Sequence, residues 1–161
     1  LKLSTFGLDV KILRLIFSRL QSRSAHVVVG GQRSHSISLA NMLFQGTVWG
    51  PPLWNTFFGD SVAATRCIDF LAVLFADDFN AYRLYPADAA NHYINADLLD
   101  CQANLHRWGF ANGVTFDAGK EESMIISNTE PVGGPIRLLG IYFDNKLLMH
   151  VTVDNLCVKV S

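Results

Sequence analysis

Residues 70–85 read FLAVLFADDFNAYRLY, two apolar or aromatic stretches joined through Asp77-Asp78. CIDFLAVLF (67–75) is rich in β-branched and aromatic residues and predicts a buried strand. FNAYRLY (79–85) alternates and predicts its antiparallel partner, with the two aspartates at the turn. Like charges in contact repel, and burying either one unpaired is costly. A divalent cation would resolve that conflict. Mg²⁺ takes hard oxygen ligands, commonly one or two carboxylates plus substrate phosphates, and a tight turn on a rigid sheet would hold the carboxylates for it. Asp is also common in turns for local reasons, so a plain turn remains the alternative for the pair alone.

Around this ribbon the chain alternates helical and extended signals. LDVKILRLIFSRLQSR (8–23) carries Leu8, Ile12, Leu15, Ile16 and Leu20 at helical spacing with Lys11, Arg14 and Arg19 between them, and Asp9 stands where an N-cap belongs. In AHVVVGGQRSHSISL (25–39) Val27 to Val29 favour a strand, Gly30-Gly31 a turn, and Ser34 to Leu39 an alternating return, which together predict a β-hairpin. Residues 40–50 are expected to form a loop, and Pro51-Pro52 suit the first turn of a helix running through LWNTFFGDSVAA. Asp88 can cap a long helix over 88–109, with Ile94, Leu98, Leu99, Ala103, Leu105 and Trp108 as its buried side and Gly113 as its end. Val114 to Phe116 is a short extended piece and SMIIS (123–127) another strand. After the Gly133-Gly134-Pro135 turn, IRLLGIYFD (136–144) makes a further strand or hairpin arm, and residues 147–161 start a final element. The sum is an α+β fold, antiparallel hairpins backed by helices.

With 161 residues, half of them hydrophobic and 17% charged, the chain can bury a sizeable core as one domain. Apolar runs such as FLAVLFA (70–76) are too short to cross a bilayer, so no membrane partner is expected. No signal-peptide pattern is visible, and the start at Leu1 suggests a piece of a longer reading frame. Cys67, Cys101 and Cys157 are odd in number and lack a CxxC pair, and the five histidines are scattered. A reduced intracellular setting, cytoplasm or nucleus, is therefore expected rather than a zinc site. Residues 1–40 hold six Lys and Arg against Asp9 alone, a net +5, which leaves −6 for the remainder of a chain whose total is −1. A basic front and an acidic rear suit a protein that grips phosphates in one place and metal ions in another. A solvated basic helix face explains the same charge.

Phe75-Ala76-Asp77-Asp78 resembles the [FY]-A-D-D box of reverse transcriptases, especially those of non-LTR retrotransposons. FQGTVWGPPLWNTFFGD (44–60) resembles the PQG segment of that family, LHRWGFANGVTFDAGKEESMIIS (105–127) its W-x-x-x-x-G-L-x-F-N-x-x-K segment, and RLLGIYFDNKL (137–147) its Y-L-G-V-x-L-D segment. The four boxes stand in family order and cover roughly residues 37 to 161. The resemblance implies a palm-type α+β fold, with a partial palm over 1–136, a primer-grip-like hairpin over 137–146 and the start of a thumb over 147–161. It implies an RNA-directed DNA polymerase, a nucleotidyltransferase using Mg²⁺, or Mn²⁺ in its place. Its partners would be an RNA template, a DNA primer, deoxynucleoside triphosphates and the missing N-terminal part of the same polyprotein.

Residue by residue, Asp77 matches the essential metal-binding aspartate and Asp78 its neighbour near the same metals, within the box that includes Phe75 and Ala76. Gln45 and Gly46 match the loop that contacts template and incoming nucleotide, and a glycine lets backbone approach a ligand. Lys120 matches a lysine near the triphosphate, where a cation would assist the leaving pyrophosphate. Leu139 and Gly140 match the hairpin that holds the primer end. Trp108 and Phe116 are expected to pack the core. The chain also departs from the pattern: Phe44 replaces Pro, Trp49 an aliphatic residue, Pro52 a Leu, and Asp117 the Asn before Lys120. No stretch matches the strand with the family's first catalytic aspartate, and the fingers are not represented. The isolated chain is therefore expected to be inactive. A non-catalytic retroelement remnant that binds nucleic acid is the alternative.

Overall fold

The structure, a computed structural model, describes residues 2–39, 43 and 46–160, with side chains as far as Val158. Two compact units divide the chain: Leu1–Asp60 with Val73–Asn80, and Ser61–Ala72 with Ala81–Ser161.

In the first unit a 3-10 turn (Lys2–Phe6) precedes helix α1 (Val10–Leu20). Asp9 caps α1 as expected: its Oδ1 accepts the Lys11 N–H at 2.7 Å, satisfying a donor the first helical turn leaves unpaired. The inward row is narrower than the apolar spacing predicts. Ile16 is buried, with Leu13 and Leu20 half-buried on the same side, while Ile12 and Leu15 are exposed. The hairpin expected over 25–39 is present as two short antiparallel ladders. Strand β1 (Ser24–Ala25) pairs with β4 (Ile37–Ser38), and inside them β2 (Val28–Val29) pairs with β3 (Gln32–Arg33) across Gly30-Gly31.

Helix α2 (Gly50–Phe58) takes Pro51 and Pro52 in its first turn, where a missing N–H costs nothing. It does not run on to Ala64. Gly59–Ser61 tighten into a 3-10 turn and α3 (Val62–Arg66) follows. Lys2 Nζ donates to the Phe57 carbonyl at 3.0 Å and to the Asp60 carboxylate at 2.7 Å, so a terminal carbonyl of α2 is satisfied from outside the helix. Phe58, fully enclosed, stacks on Trp54 with ring centroids 5.0 Å apart and meets the edge of Phe79 at 6.4 Å.

Strand β5 (Leu71–Phe75) pairs with β6 (Asp78–Tyr82) through the two-residue turn Ala76-Asp77. The expectation of a buried β5 is corrected here. Leu71, Val73 and Phe75 are each more than half exposed, and only Ala72 and Leu74 are partly covered. In a two-stranded ribbon successive side chains point to opposite faces, and only one face is covered.

Within the second unit, α4 (Asn91–Asn112) starts after Ala90 without a side-chain cap; Asp88 lies in the preceding turn. Its buried positions are Ile94, Cys101 and Gly109, with Leu98, Leu105 and Trp108 half-buried, whereas Leu99 and Ala103 face outward. Arg83 braces this helix, donating to Asp97 at 2.8 Å and to the Ile68 carbonyl at 3.3 Å, and the Tyr85 hydroxyl adds 3.0 Å to Asp97. Partial burial, then the Asp97 carboxylate, pushes the Tyr85 phenol above its ordinary value. Gly113 ends α4 as expected, and it does so in the left-handed conformation, φ 69°.

The chain then folds back so tightly that a Cβ on Gly109 would lie 2.6 Å from the Val114 carbonyl oxygen. Trp108 and Phe116 do pack together, centroids 6.4 Å apart. SMIIS contributes one bridge, Ile125 to Val132, rather than a full strand. Strands β7 (Ile136–Leu138) and β8 (Ile141–Phe143) form a hairpin across Leu139-Gly140, and α5 (His150–Val160) closes the chain. The α+β expectation therefore holds in its general form, and no helix among the described residues is long and apolar enough to cross a membrane.

Leu139 and Gly140 both have positive φ, 49° and 89°, which a two-residue turn of this hand requires and which a leucine adopts under strain. Leu139→Asn is expected to raise stability by about 1 kcal/mol, read as a higher urea midpoint; a lower midpoint would contradict the strain. Asp144 sets the start of α5, accepting N–H bonds from Leu148 at 3.1 Å, Lys146 at 2.9 Å and Met149 at 2.7 Å. These donors, Leu148 foremost, hold its carboxyl below the usual aspartate range against an opposing desolvation, and His150 adds to the effect. With the folded pKa depressed, the stabilisation is present above the unfolded value of about 4 and is lost as pH falls through the folded one. Circular dichroism during acid titration is expected to show a shallower acid limb for Asp144→Asn than for the parent chain.

Candidate functional site at the acidic hairpin tip

The tip between β5 and β6 is built by a strained residue and a tether. Ala76 has φ 54°, a left-handed conformation that costs a non-glycine residue about 1–2 kcal/mol. Its carbonyl accepts the indole N–H of Trp54 at 2.6 Å. Trp54 lies on α2, so the segment 44–60 and the FADD segment, distant in sequence, meet through a hydrogen bond in the first unit. The Phe58–Phe79 contact gives a second tie between the same elements.

Asp77 occupies the turn and Asp78 the first position of β6; both side chains are exposed. The conflict raised by the bare sequence is thus resolved by water: neither carboxylate is buried, and among the described residues no base pairs with either. Phe75, next to them, is also exposed. Gly46 has φ 80°, and a Cβ there would meet nothing within 4 Å, so glycine serves the backbone conformation rather than a close neighbour. Gln45, like Phe44, lies outside the described residues.

Lys120, Leu139 and Gly140 belong to the second unit. Lys120 ends a 3-10 turn (Ala118–Lys120) capped by Asp117, is largely exposed, and has its Nζ 3.7 Å from the Asp117 carboxylate. That exposed pair is held loosely. Leu139 and Gly140 are the tip of the β7–β8 hairpin. The sequence-derived residues therefore divide between the units: Phe75 to Asp78, at the hairpin tip, and Gly46 belong to the first, and Lys120, Leu139 and Gly140 to the second.

Two adjacent exposed carboxylates supply only part of the octahedral oxygen shell that Mg²⁺ demands. Among the described residues no group of three His, Cys, Asp or Glu converges to complete one. These residues do not make a metal centre by themselves. Trp54 is the residue that sequence reasoning missed at the tip, and the available signal was an indole N–H in a helix face otherwise apolar, which needs an acceptor. No protein-family model, curated protein or solved structure matches this chain.

Trp54→Phe keeps an aromatic ring over Phe58 and deletes the N–H donor. Its expected cost is about 1 kcal/mol of stability, with faster amide exchange confined to residues near Ala76. An unchanged exchange pattern would mean the tip holds its shape without the tether.

Proposed function

We propose that this chain is the palm portion of a reverse transcriptase of the non-LTR retrotransposon type. The observation that carries the reading is the junction of two of its four ordered sequence boxes, with Trp54 of one bonded to Ala76 of the other directly beside Asp77. In the complete enzyme a DNA primer's 3′-hydroxyl attacks the α-phosphate of a deoxynucleoside triphosphate on an RNA template, releasing pyrophosphate. Asp77 and Asp78 would hold Mg²⁺ (or Mn²⁺) together with an aspartate of the family's first catalytic strand, which no stretch of this sequence matches. Gln45 and Gly46 line the template and nucleotide, Lys120 approaches the triphosphate, and Leu139-Gly140 hold the primer end. Among the described residues no full set of metal ligands converges, and the chain alone is expected not to polymerise.

Primer extension on an RNA template tests this in two parts. The 161-residue chain with Mg²⁺ is expected to give no extension. A polypeptide extended at its N-terminus by its own reading frame is expected to give extension that Asp77→Ala abolishes. Extension by the short chain, or extension in the longer one that survives Asp77→Ala, overturns the reading.

A second reading rests on α1, where Lys11, Arg14 and Arg19 are all exposed. A non-catalytic remnant would bind RNA through that face, with affinity falling steeply as salt rises. Such binding, with no extension by the longer polypeptide, favours it.

A further inference from the structure

Cys67 is the residue that closes α3, and Cys101 lies midway along α4, the helix packed against α3. The Cys67 thiol donates to the Ala64 carbonyl at 3.2 Å, and the Asn104 side-chain amide reaches the Cys67 sulfur at 3.8 Å. Asn104 is three residues after Cys101, so the two side chains stand one above the other on the same face of α4. Cys101 therefore faces the end of α3 on which Cys67 sits. The thiols are near enough to feel each other's charge: burial first, and then the negative charge of Cys67, pushes the Cys101 thiol up to about 11. Their accessibilities differ. Cys101 is buried, while Cys67 is exposed on an open cleft of about 320 Å³ whose other walls include Asn104, Arg107 and Trp108. Arg107 donates to the Asn104 side-chain oxygen Oδ1 at 2.8 Å and brings a positive charge to that cleft.

We propose that Cys67 and Cys101 form a reversible disulfide linking α3 to α4 when the chain meets a small anionic disulfide such as glutathione disulfide. The exposed thiol reacts first. The Cys67 thiolate attacks one sulfur of the oxidant; a protein–glutathione disulfide forms, and the oxidant's S–S bond breaks to release one glutathione thiolate, which takes up a proton. The Cys101 thiolate, formed by loss of its proton to solvent, then attacks the Cys67 sulfur. The mixed disulfide breaks, the second glutathione leaves as its thiol, and the oxidant's two electrons of reduction come from the two protein thiols. The carboxylates of the oxidant are drawn to the Arg107 guanidinium, and the buried, weakly acidic Cys101 serves as the resolving thiol. This pairing is independent of whether the chain belongs to a polymerase.

The test treats the folded full chain with glutathione disulfide and maps the products. Trypsin cuts after Arg66, Arg83 and Arg107, which puts Cys67 and Cys101 on separate peptides. The expected product has the parent mass less two hydrogens, joins those two peptides, returns to the starting mass with dithiothreitol, and melts at a higher temperature because the bridge constrains the unfolded chain. Cys157→Ser is expected to change none of this, and Cys101→Ala to stop at a glutathione adduct on Cys67. Since mapping the unsubstituted chain decides the matter, the outcome does not depend on Cys101→Ala folding. A persistent adduct on Cys67 in the unsubstituted chain, a main product that includes Cys157, or no reaction overturns the proposal.

Discussion

The Trp54 indole N–H bonded to the Ala76 carbonyl is the contact on which the acidic tip depends. An alanine at positive φ has a standing tendency to relax toward extended backbone, and a two-stranded ribbon offers little to prevent it. The tether opposes that relaxation from a helix whose position is fixed in turn by Phe58, enclosed between Trp54 and Phe79. Pro51 and Pro52, by starting α2 where they do, set which face of the helix presents Trp54. The backbone just before Asp77 is thus tied to Trp54, 22 positions upstream of Ala76.

Exposure of both aspartates changes what can be asked of them. A solvated carboxylate keeps its charge without a partner, so repulsion between neighbours is screened and demands no cation for stability. Any affinity for a divalent ion must come from additional oxygens brought by phosphates or by another acid. Asp77 and Asp78 by themselves supply two carboxylates and no more. The proposed reverse-transcriptase reading would have the remaining oxygens come from elsewhere.

Most local signals were legible. Asp9 as a cap, Gly30-Gly31 as a turn, Pro51-Pro52 as a helix start, Gly113 as a helix stop and the β5–β6 hairpin all rest on short-range chemistry that a few adjacent residues determine. What escaped prediction depends on partners distant in the chain. The division of the 50–66 segment into α2, a 3-10 turn and α3 involves Lys2, more than fifty residues away. Burial of β5 was overestimated because apolar composition reports what could be covered, whereas coverage needs a second layer that the described residues do not provide. On α4 the inward stripe runs through Cys101 rather than Leu99 and Ala103, because packing against α3 selects the face. At the tip, Asp77 and Asp78 could be picked out from the sequence, but neither the Trp54 tether nor the separation of Lys120 into the other unit could.

Gly109 carries a different kind of information. Any atom larger than hydrogen at that position would press on the Val114 carbonyl and the Phe116 ring, both of which belong to the segment that doubles back along α4. Drift at this codon is therefore intolerable so long as the fold is under selection, whereas the outward Leu99 codon is free to wander.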